Sequence, residues 1–315
     1  MRKAMVLLFV ILLTGFMTGC EDASKSSEEN SKDRLAIVTQ VASADGIVYV
    51  LRRNADEGCS LYQLGNRDKA ETLVCSFLSD ATVLSANGQV CYYANRETLY
   101  AYSITNGKSE PLYSLENGCI SINAVTSNYL LFTDESRSKC CISLDTGEIT
   151  SLHHLTDGSL TFLWADVEND AFLFWHNESN SICLYHAVDG DTEILMQREQ
   201  DVSRVMVTAC LFQDTLYYAE SDGVLYAGSN DGPQAVEATE GLKVVGLLPE
   251  DDSLLLAIRW NSIKMKLYRL SDNNLEELAI WDARYLHSSC GLFAAENTAY
   301  CYLTTDSALH SLPLA

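Results

Sequence analysis

The sequence predicts an all-β protein folded as a β-propeller of four-stranded blades, with seven as the favoured number. A recurring phrase, its spacing and its turn residues predict this fold. The phrase joins a polar turn, an apolar-aromatic strand, a polar gap and a second strand that often contains Leu-Tyr, and its copies begin near residues 46, 88, 128, 170, 214, 252 and 297. Spacings of 38 to 45 residues match the period of a four-stranded blade. Six or eight blades, or a chance regularity in a β-sandwich, are the alternatives.

Each unit supplies four predicted strands, named a to d from the ring axis outward. Strand a precedes the polar turn, as at 120–125, and strand b is the Tyr-Tyr-like run, as at 90–93. Strand c is the Leu-Tyr run, as at 99–100, and strand d follows a Gly turn, as at 111–113. The Asn-Gly, Asp-Gly and Thr-Gly pairs between these runs suit tight hairpins. The pattern contains no long amphipathic helix.

The two ends of the propeller domain, residues 34–315, predict how the ring closes. The seventh unit has little chain left after Leu312 for a d strand, and residues 34–41 form an extended apolar segment with no b strand before it. We therefore predict that part of this N-terminal segment closes the ring by pairing with the last blade. Closure of this kind removes exposed sheet edges, which otherwise invite aggregation.

The first nineteen residues have the layout of an export signal. A basic start, Met-Arg-Lys, precedes an apolar run from Ala4 to Phe16 and then Met-Thr-Gly-Cys. A run of this length is too short to span a bilayer comfortably and is typical of a secretory signal. The segment that ends at Cys20 resembles the lipobox of bacterial lipoproteins. The resemblance implies cleavage before Cys20 and a diacylglycerol on its thiol, whereas an ordinary secretory signal is the alternative.

A polar spacer follows the proposed lipidation site, from residue 20 to residue 33. Residues 21–33 contain no Leu, Ile, Val or aromatic side chain, so they cannot bury enough apolar surface to order themselves. The sequence thus predicts three parts: a signal peptide at 1–19, a lipidated spacer at 20–33 and the propeller. It predicts a location outside the cytoplasm, held on the cell membrane by a lipid.

The charge balance narrows the class of partner. The chain has 21 basic and 43 acidic residues and a formal charge of −22. Removal of the signal takes away Arg2 and Lys3, which brings the charge to −24. Such a charge argues against nucleic acid as a partner and against a polybasic mode of membrane attachment.

The cysteines do not predict a disulfide scaffold or a redox motif. Most lie in apolar β-like runs, where Cys serves as a small buried hydrophobe, and the sequence has no Cys-x-x-Cys. An exported chain can still form disulfides, and Cys59 with Cys75, or Cys290 with Cys301, are candidate pairs. The ten cysteines besides Cys20 are Cys59, Cys75, Cys91, Cys119, Cys140, Cys141, Cys183, Cys210, Cys290 and Cys301.

The repeated order of Asn/Asp-Gly, Tyr-Tyr and Leu-Tyr over residues 34–315 carries a family resemblance. It resembles uncharacterised propeller lipoproteins of anaerobic Gram-positive bacteria, which are relatives of the receptor-type propellers with Tyr-Trp-Thr-Asp repeats. The resemblance implies extracytoplasmic binding or scaffolding, and it implies no catalytic chemistry.

No catalytic, cofactor or metal motif is found in the sequence. It lacks Gly-x-Ser-x-Gly, His-Glu-x-x-His, a P-loop and Gly-x-Gly-x-x-Gly. His153 and His154 are adjacent, so on a strand they would point to opposite faces. The acidic turns at 189–191 and 230–232 lack the ligand count of a calcium loop. We therefore predict a non-catalytic binding module without metal or cofactor; a propeller enzyme acting on glycans, a lyase or hydrolase using Asp166 or Asp201, is the alternative.

The antiparallel strand order sorts the connections onto two faces of the predicted disc. The a–b and c–d connections form one face, here called the turn face, and they consist mainly of acidic turn residues. The b–c and d–a connections, with the strand ends that lead into them, form the other face, here called the loop face. Arginines beside aromatic residues suit carboxylate, phosphate or protein recognition, although solubilising arginines paired with nearby acids are the alternative. The candidate binding residues of the loop face are Arg52, Arg53, Arg96, Arg137, His176, Arg259, Trp260, Trp281 and Arg284. They predict an envelope protein, a glycan or an anionic ligand as the partner.

Overall fold

The protein is a seven-bladed β-propeller, as the repeat predicts. The computed structural model describes residues 37–54, 58–65, 70–152, 160–197, 206–228, 232–261, 264–282, 290–303 and 309–314. Twenty-seven strands in these ranges form seven antiparallel sheets. Six sheets have four strands each, and the seventh has three in the described part of the chain.

The described strands follow the predicted order, a to d in blades 1 to 6 and a to c in blade 7. Blade 1 holds β1 (Ile37–Ala44), β2 (Ile47–Arg53), β3 (Cys59–Leu64) and β4 (Glu71–Phe77). Blade 2 holds β5 (Thr82–Leu84), β6 (Val90–Asn95), β7 (Thr98–Ser103) and β8 (Lys108–Ser114). Blade 3 holds β9 (Ser121–Val125), β10 (Tyr129–Thr133), β11 (Lys139–Ser143) and β12 (Ile149–Ser151). Blade 4 holds β13 (Leu160–Asp166), β14 (Ala171–His176), β15 (Ser181–His186) and β16 (Thr192–Gln197).

The last three blades differ in the length of their outer strands. Blade 5 holds β17 (Met206–Phe212), β18 (Thr215–Glu220), β19 (Leu225–Ala227) and β20 (Gln234–Ala235), followed by a 3-10 turn at Glu237–Thr239. Blade 6 holds β21 (Val244–Pro249), β22 (Leu254–Asn261), β23 (Lys264–Ser271) and β24 (Asn274–Asp282). Blade 7 holds β25 (Cys290–Ala295), β26 (Thr298–Leu303) and β27 (Leu309–Pro313). No helix in the described part of the chain is long and apolar enough to cross a membrane.

The core consists of one apolar cluster between each pair of neighbouring blades. The first strands of consecutive blades contact one another all the way round, so they surround the axis. The middle strands b and c supply most of the buried side chains, such as Leu131, Phe174 and Leu256. Burial of such side chains contributes about 1.5–3 kcal/mol each. Because both faces of these sheets are covered, strands such as β14 and β22 are apolar along nearly their whole length.

The predicted pairing of the N-terminal segment with the last blade was wrong for the described residues. From Ile37 to Ala44 the segment pairs with β2 and forms the innermost strand of blade 1. Asp45 and Gly46 form a two-residue turn with positive φ values of 52° and 76°, and so short a hairpin requires β1 to pair with β2. Residues 34–36 lie outside the described ranges.

The N-terminal segment nevertheless completes the ring by packing. Strand β1 lies beside β25. Val38 and Val50 of blade 1 pack in one cluster with Tyr300 and Tyr302 of blade 7. Apolar packing between two sheets therefore closes the circle in the described structure.

The cysteines mostly serve as small core residues, as their apolar surroundings predict. Cys91, Cys141 and Cys210 are almost fully buried, and burial raises the pKa of each thiol above its usual value. The candidate disulfide between Cys59 and Cys75 is absent, because both residues carry thiols. Cys301 also carries a thiol, and the Cys290 side chain lies outside the described parts of the structure.

Candidate functional site

The loop face receives the candidate binding residues that the structure describes. Strands β2, β14 and β22 run toward this face, so their last residues are delivered to it, and the b–c hairpins of blades 2 and 3 lie on it. Cys20, Arg284, His153, His154 and Asp201 lie outside the described ranges. The described candidates are Arg52 and Arg53 in β2, Arg96 and Arg137 in b–c hairpins, His176 in β14, Arg259 and Trp260 in β22, and Trp281 in β24.

Arg52 forms an ion pair within its own blade, so its guanidinium group is not available to a partner. Its side chain is 10% exposed, and its Nε and Nη2 atoms donate to the two carboxylate oxygens of Glu71 at 2.8 and 2.6 Å. A two-point arginine–carboxylate pair of this kind fixes both side chains. Arg52 is therefore an arginine paired with a nearby acid, which was the alternative to a ligand-binding role.

Three other arginines are exposed on the loop faces of three consecutive blades. Arg53 ends β2, Arg96 lies in the β6–β7 hairpin and Arg137 lies in the β10–β11 hairpin. Arg96 and Arg137 have positive φ values of 49° and 68°, as tight turns require. Positions of this kind present the side chain outward from a short, ordered connection.

The Arg137 hairpin is held by a buried carboxylate. Asp134 is 2% exposed, and its Oδ1 accepts hydrogen bonds from the backbone N–H of Ser138 at 2.8 Å and from the hydroxyl of Ser136 at 2.7 Å. The backbone N–H of Arg137 donates to the carbonyl oxygen of Asp134 at 3.0 Å. Asp134 is thus engaged within the loop, which it holds rigid beneath Arg137.

His176 has a local role at the end of β14. Its Nδ1 accepts a hydrogen bond from the backbone N–H of Ser179 at 3.1 Å and lies 2.8 Å from the Ser179 hydroxyl. These contacts hold the b–c hairpin of blade 4. Across the described residues, no group of three or more His, Cys, Asp or Glu side chains is arranged to hold a metal ion.

Asp166, a candidate catalytic residue if the propeller were an enzyme, lies at the end of β13 beside the turn face. Its Oδ1 accepts hydrogen bonds from the backbone N–H groups of Glu168 and Asn169 at 3.2 and 3.1 Å. Its Oδ2 accepts one from the Asn169 amide at 2.9 Å. The carboxylate therefore stabilises the a–b connection of blade 4.

Blade 6 brings the remaining candidates together at one end of a sheet. Trp260 is 51% exposed, and the ammonium group of Lys266 lies 3.9 Å from the centre of its ring. Arg259 is exposed beside it. Trp281, in the outer strand, is half-buried and stacks on His310 of blade 7 with ring centres 5.5 Å apart.

Lys266 is held by acidic and aromatic neighbours, which the sequence pattern does not predict. Its Nζ donates to Glu277 Oε2 at 2.6 Å, and the Tyr268 hydroxyl donates to the same oxygen at 2.9 Å. The hydrogen bond to Glu277 raises the pKa of Lys266, and the hydrogen bond from Lys266 lowers the pKa of Glu277. Burial raises the pKa of Tyr268. This network orders the side chains beneath Trp260.

A cavity of about 560 Å³ adjoins this end of blade 6. Val224, Thr239 and Leu242 of blade 5 and its following loop contribute to the lining, together with Lys243. The backbone N–H of Arg259 donates to the carbonyl oxygen of Lys243 at 2.8 Å, so the cavity and the Arg259–Trp260 segment share a boundary. A second cavity of similar volume lies between blades 2 and 3 and includes Asp134 in its lining.

Comparison with known proteins shows the fold and does not show a family. No protein-family model matches the sequence, and no curated protein matches it. Among solved structures, a streptogramin B lyase is similar with a TM-score of 0.59 and 14% identity, over 91% of this chain and 96% of that one. A chain of the mitotic checkpoint complex has a TM-score of 0.58 and 9% identity, over 92% of this chain and 99% of that one. The computationally designed Ika8 protein has a TM-score of 0.53 and 15% identity, over 90% of this chain and 89% of that one.

Proposed function

We propose that this chain is a lipoprotein anchored outside the cytoplasm through Cys20, whose propeller binds a partner with its loop face and catalyses no reaction. The observation that carries the binding role is the set of exposed arginines on the loop faces of blades 1, 2 and 3. Arg96 and Arg137 lie in short hairpins and Arg53 ends a strand, and side chains on the connections of a rigid scaffold are suited to recognition. The propeller fold fits such a role, and the similarity to a chain of the mitotic checkpoint complex is a precedent for a propeller in a protein assembly.

Two carboxylates that are engaged within their own blades favour a binding role over a catalytic one. Asp134 and Glu71 accept hydrogen bonds from loop and strand groups of their own blades. The arginines Arg53, Arg96 and Arg137 are exposed. A planar guanidinium on an ordered loop is suited to a carboxylate, sulfate or phosphate of a ligand. Anionic groups on an envelope protein or glycan are therefore the partner chemistry that we propose.

Replacing Arg53, Arg96 and Arg137 together with alanine should remove most binding to the partner. Capture from a detergent extract of the producing cell's envelope, and binding to a panel of anionic polysaccharides, measure the effect. Alanine at Lys108, an exposed cation at the c–d connection of blade 2, is the control and should leave the bound set unchanged. An identical bound set for the triple variant would reject the loop face as the binding surface, and cleavage of a polysaccharide by the wild type would reject the non-catalytic role.

The anchor proposal has a separate test at Cys20. The wild type should incorporate a labelled palmitate analogue and sediment with membranes, because the acyl chains on one cysteine supply stable membrane attachment. The Cys20→Ser variant should lose the label and leave the membrane fraction. Equal labelling of both proteins, or a wild type that remains soluble, would contradict lipidation at this residue. The family resemblance to propeller lipoproteins of Gram-positive bacteria supports the same proposal.

A further inference from the structure

We propose that blade 6 carries a protein-docking patch, formed by Trp260, Lys266 and Ile280. Lys264 lies at its edge, and Arg259 lies beside Trp260 at the loop-face end of β22, on the other side of the sheet. This inference rests on the proposed binding function and assigns it a place and a partner chemistry. The partner is an extracytoplasmic protein that presents an apolar side chain next to a carboxylate. The patch is distinct from the arginine set of blades 1 to 3.

The strand register makes the patch continuous. Lys266 in β23 lies directly opposite Ile258 in β22 and Ile280 in β24, and opposite residues in antiparallel strands project from the same side of a sheet. The Lys266 ammonium group also lies over the Trp260 ring. Trp260 and Ile280 are 51% and 47% exposed. The lysine therefore joins two large apolar side chains that are open to solvent.

The neighbouring blade explains why this patch is uncovered. Blade 5 packs against the same side of blade 6, through residues such as Leu225 against Ile258. Its two outer strands are only three and two residues long, whereas β23 and β24 of blade 6 have eight and nine residues. The outer part of the longer sheet extends past the cover that the shorter sheet supplies. Ile258 is thus fully buried, and Ile280 two strands away on the same side is exposed.

The exposed tryptophan is held in place before any partner arrives. The side chain of Lys266 is 13% exposed and is held by Glu277 at 2.6 Å, which positions its ammonium group against the Trp260 ring. A cation over an indole face is attracted by the negative potential of the ring face. Ordering an interface side chain in advance reduces the entropy lost on binding. The arrangement prepares Trp260 as a rigid contact.

The residues of the patch identify the partner as a protein. Tryptophan and arginine are the side chains most enriched at the energetic centres of protein interfaces, and Ile280 offers an apolar contact with no hydrogen bond for a sugar hydroxyl. Among the described residues, Arg259 and Lys264 have no ion-pair partner, although acidic residues outnumber basic ones two to one in the chain. A carboxylate on the partner would form an ion pair with Arg259 or Lys264.

The test places a photoreactive benzoylphenylalanine at position 260 or position 280 of the full-length lipidated protein in its own cell. Leu73 supplies a matched control, because it is 52% exposed in β4, the outer strand of blade 1. We expect crosslinks to a protein from positions 260 and 280 and none to that protein from position 73. Mass spectrometry of the crosslinked peptide should show an apolar residue within a few positions of Asp or Glu. Adding Arg259→Glu and Lys264→Glu should lower the yield about tenfold, since reversing these two charges repels the partner's carboxylates.

Four outcomes would overturn the proposal: no protein adduct at positions 260 and 280, the same adduct at position 73, a glycan adduct, or a yield that charge reversal leaves unchanged. Circular dichroism of each purified variant verifies that the propeller has folded before the crosslinks are compared. The arginine variant of blades 1 to 3 separates the two proposals. Loss of binding in that variant without crosslinks at blade 6 would retain the proposed function and reject this patch.

Discussion

Replacing Asp170 with alanine should lower the free energy of unfolding by about 3 kcal/mol, because the side chain joins blade 4 to blade 3 through charge-assisted hydrogen bonds worth about 1.5–3 kcal/mol each. Its Oδ1 and Oδ2 accept from the backbone N–H and the side-chain amide of Asn128 at 3.0 and 2.7 Å. Asp170 itself is 6% exposed. Alanine would leave both donors of Asn128 without this acceptor. Urea unfolding of the purified variant and wild type measures the loss.

Asparagine at position 170 separates the charge from the geometry. Asp170 has a φ of 49°, a left-handed conformation that Asn adopts more readily than Ala. Asp170→Asn also keeps one side-chain acceptor for Asn128. We therefore expect a loss of about 1 kcal/mol, since a neutral hydrogen bond replaces a charged one. Equal losses for Asn and Ala would show that the charged acceptor does not hold the blades together.

The pH dependence of the same pair follows from the pKa of Asp170. Burial on its own raises this pKa, but hydrogen bonds from Thr126, Asn128 and the backbone of Ser127 outweigh it, and the folded value lies below the usual one. The folded state therefore binds fewer protons than the unfolded chain between the two pKa values. The Asp170 carboxylate contributes its full share to the free energy of unfolding when the pH is above the unfolded-state pKa of about 3.9. This contribution is lost as the pH falls through the lower pKa of the folded state. The stability difference between the wild type and Asp170→Asn should shrink over that acidic window and stay constant at neutral pH.

The fold could be predicted because the information for a blade is local. A strand pair such as β6 and β7 is encoded by two apolar runs with a turn between them, and residues 90–103 contain both strands and the turn. The predicted strand pairing between the N-terminal segment and the last blade was wrong from Ile37 onward, because it depended on a partner far away in sequence. The Asp45-Gly46 turn, which was already visible, favours the local partner β2. Contacts within a hairpin can thus be predicted from the sequence. Contacts between the first and the last blade, which are far apart in sequence, require the three-dimensional structure.

The candidate site was harder to predict because exposure depends on neighbours that the sequence does not identify. Arg52 and Arg53 are adjacent, yet Arg52 is paired with Glu71 nineteen residues away and Arg53 is exposed. Trp260 was a candidate from its place in the repeat. Lys266 and Ile280 were not, because their role follows from the register of β22 to β24 and from the short outer strands of blade 5. The alternation of Lys264, Lys266 and Tyr268 in strand c was the one sequence signal that these side chains share a side of the sheet.

Replacing Gly58 with alanine should cost about 4 kcal/mol of unfolding free energy, the upper end of what single substitutions do. Gly58 lies in the b–c connection of blade 1 with a φ of 86°. A Cβ atom placed there would overlap the carbonyl oxygen of Phe77 and would lie 3.2 Å from the backbone nitrogen of Ser79. Both neighbours are backbone atoms, so a rotamer change cannot relieve the clash. The backbone N–H of Gly58 also donates to Asp80 Oδ1 at 3.0 Å, a bond that any shift would strain.

Gly46 supplies the matched control in the same blade. Its φ of 76° is nearly the same, but a Cβ atom there would meet nothing within 4 Å. Gly46→Ala should therefore lower the free energy of unfolding only by the strain of a left-handed alanine, about 1–2 kcal/mol. The difference between the two variants isolates the steric contribution of the Phe77 carbonyl, because the backbone strain cancels. Losses of equal size in urea unfolding would mean that the connection between β2 and β3 can move away from β4. The close approach of this connection to the d–a segment would then add little to the stability of blade 1.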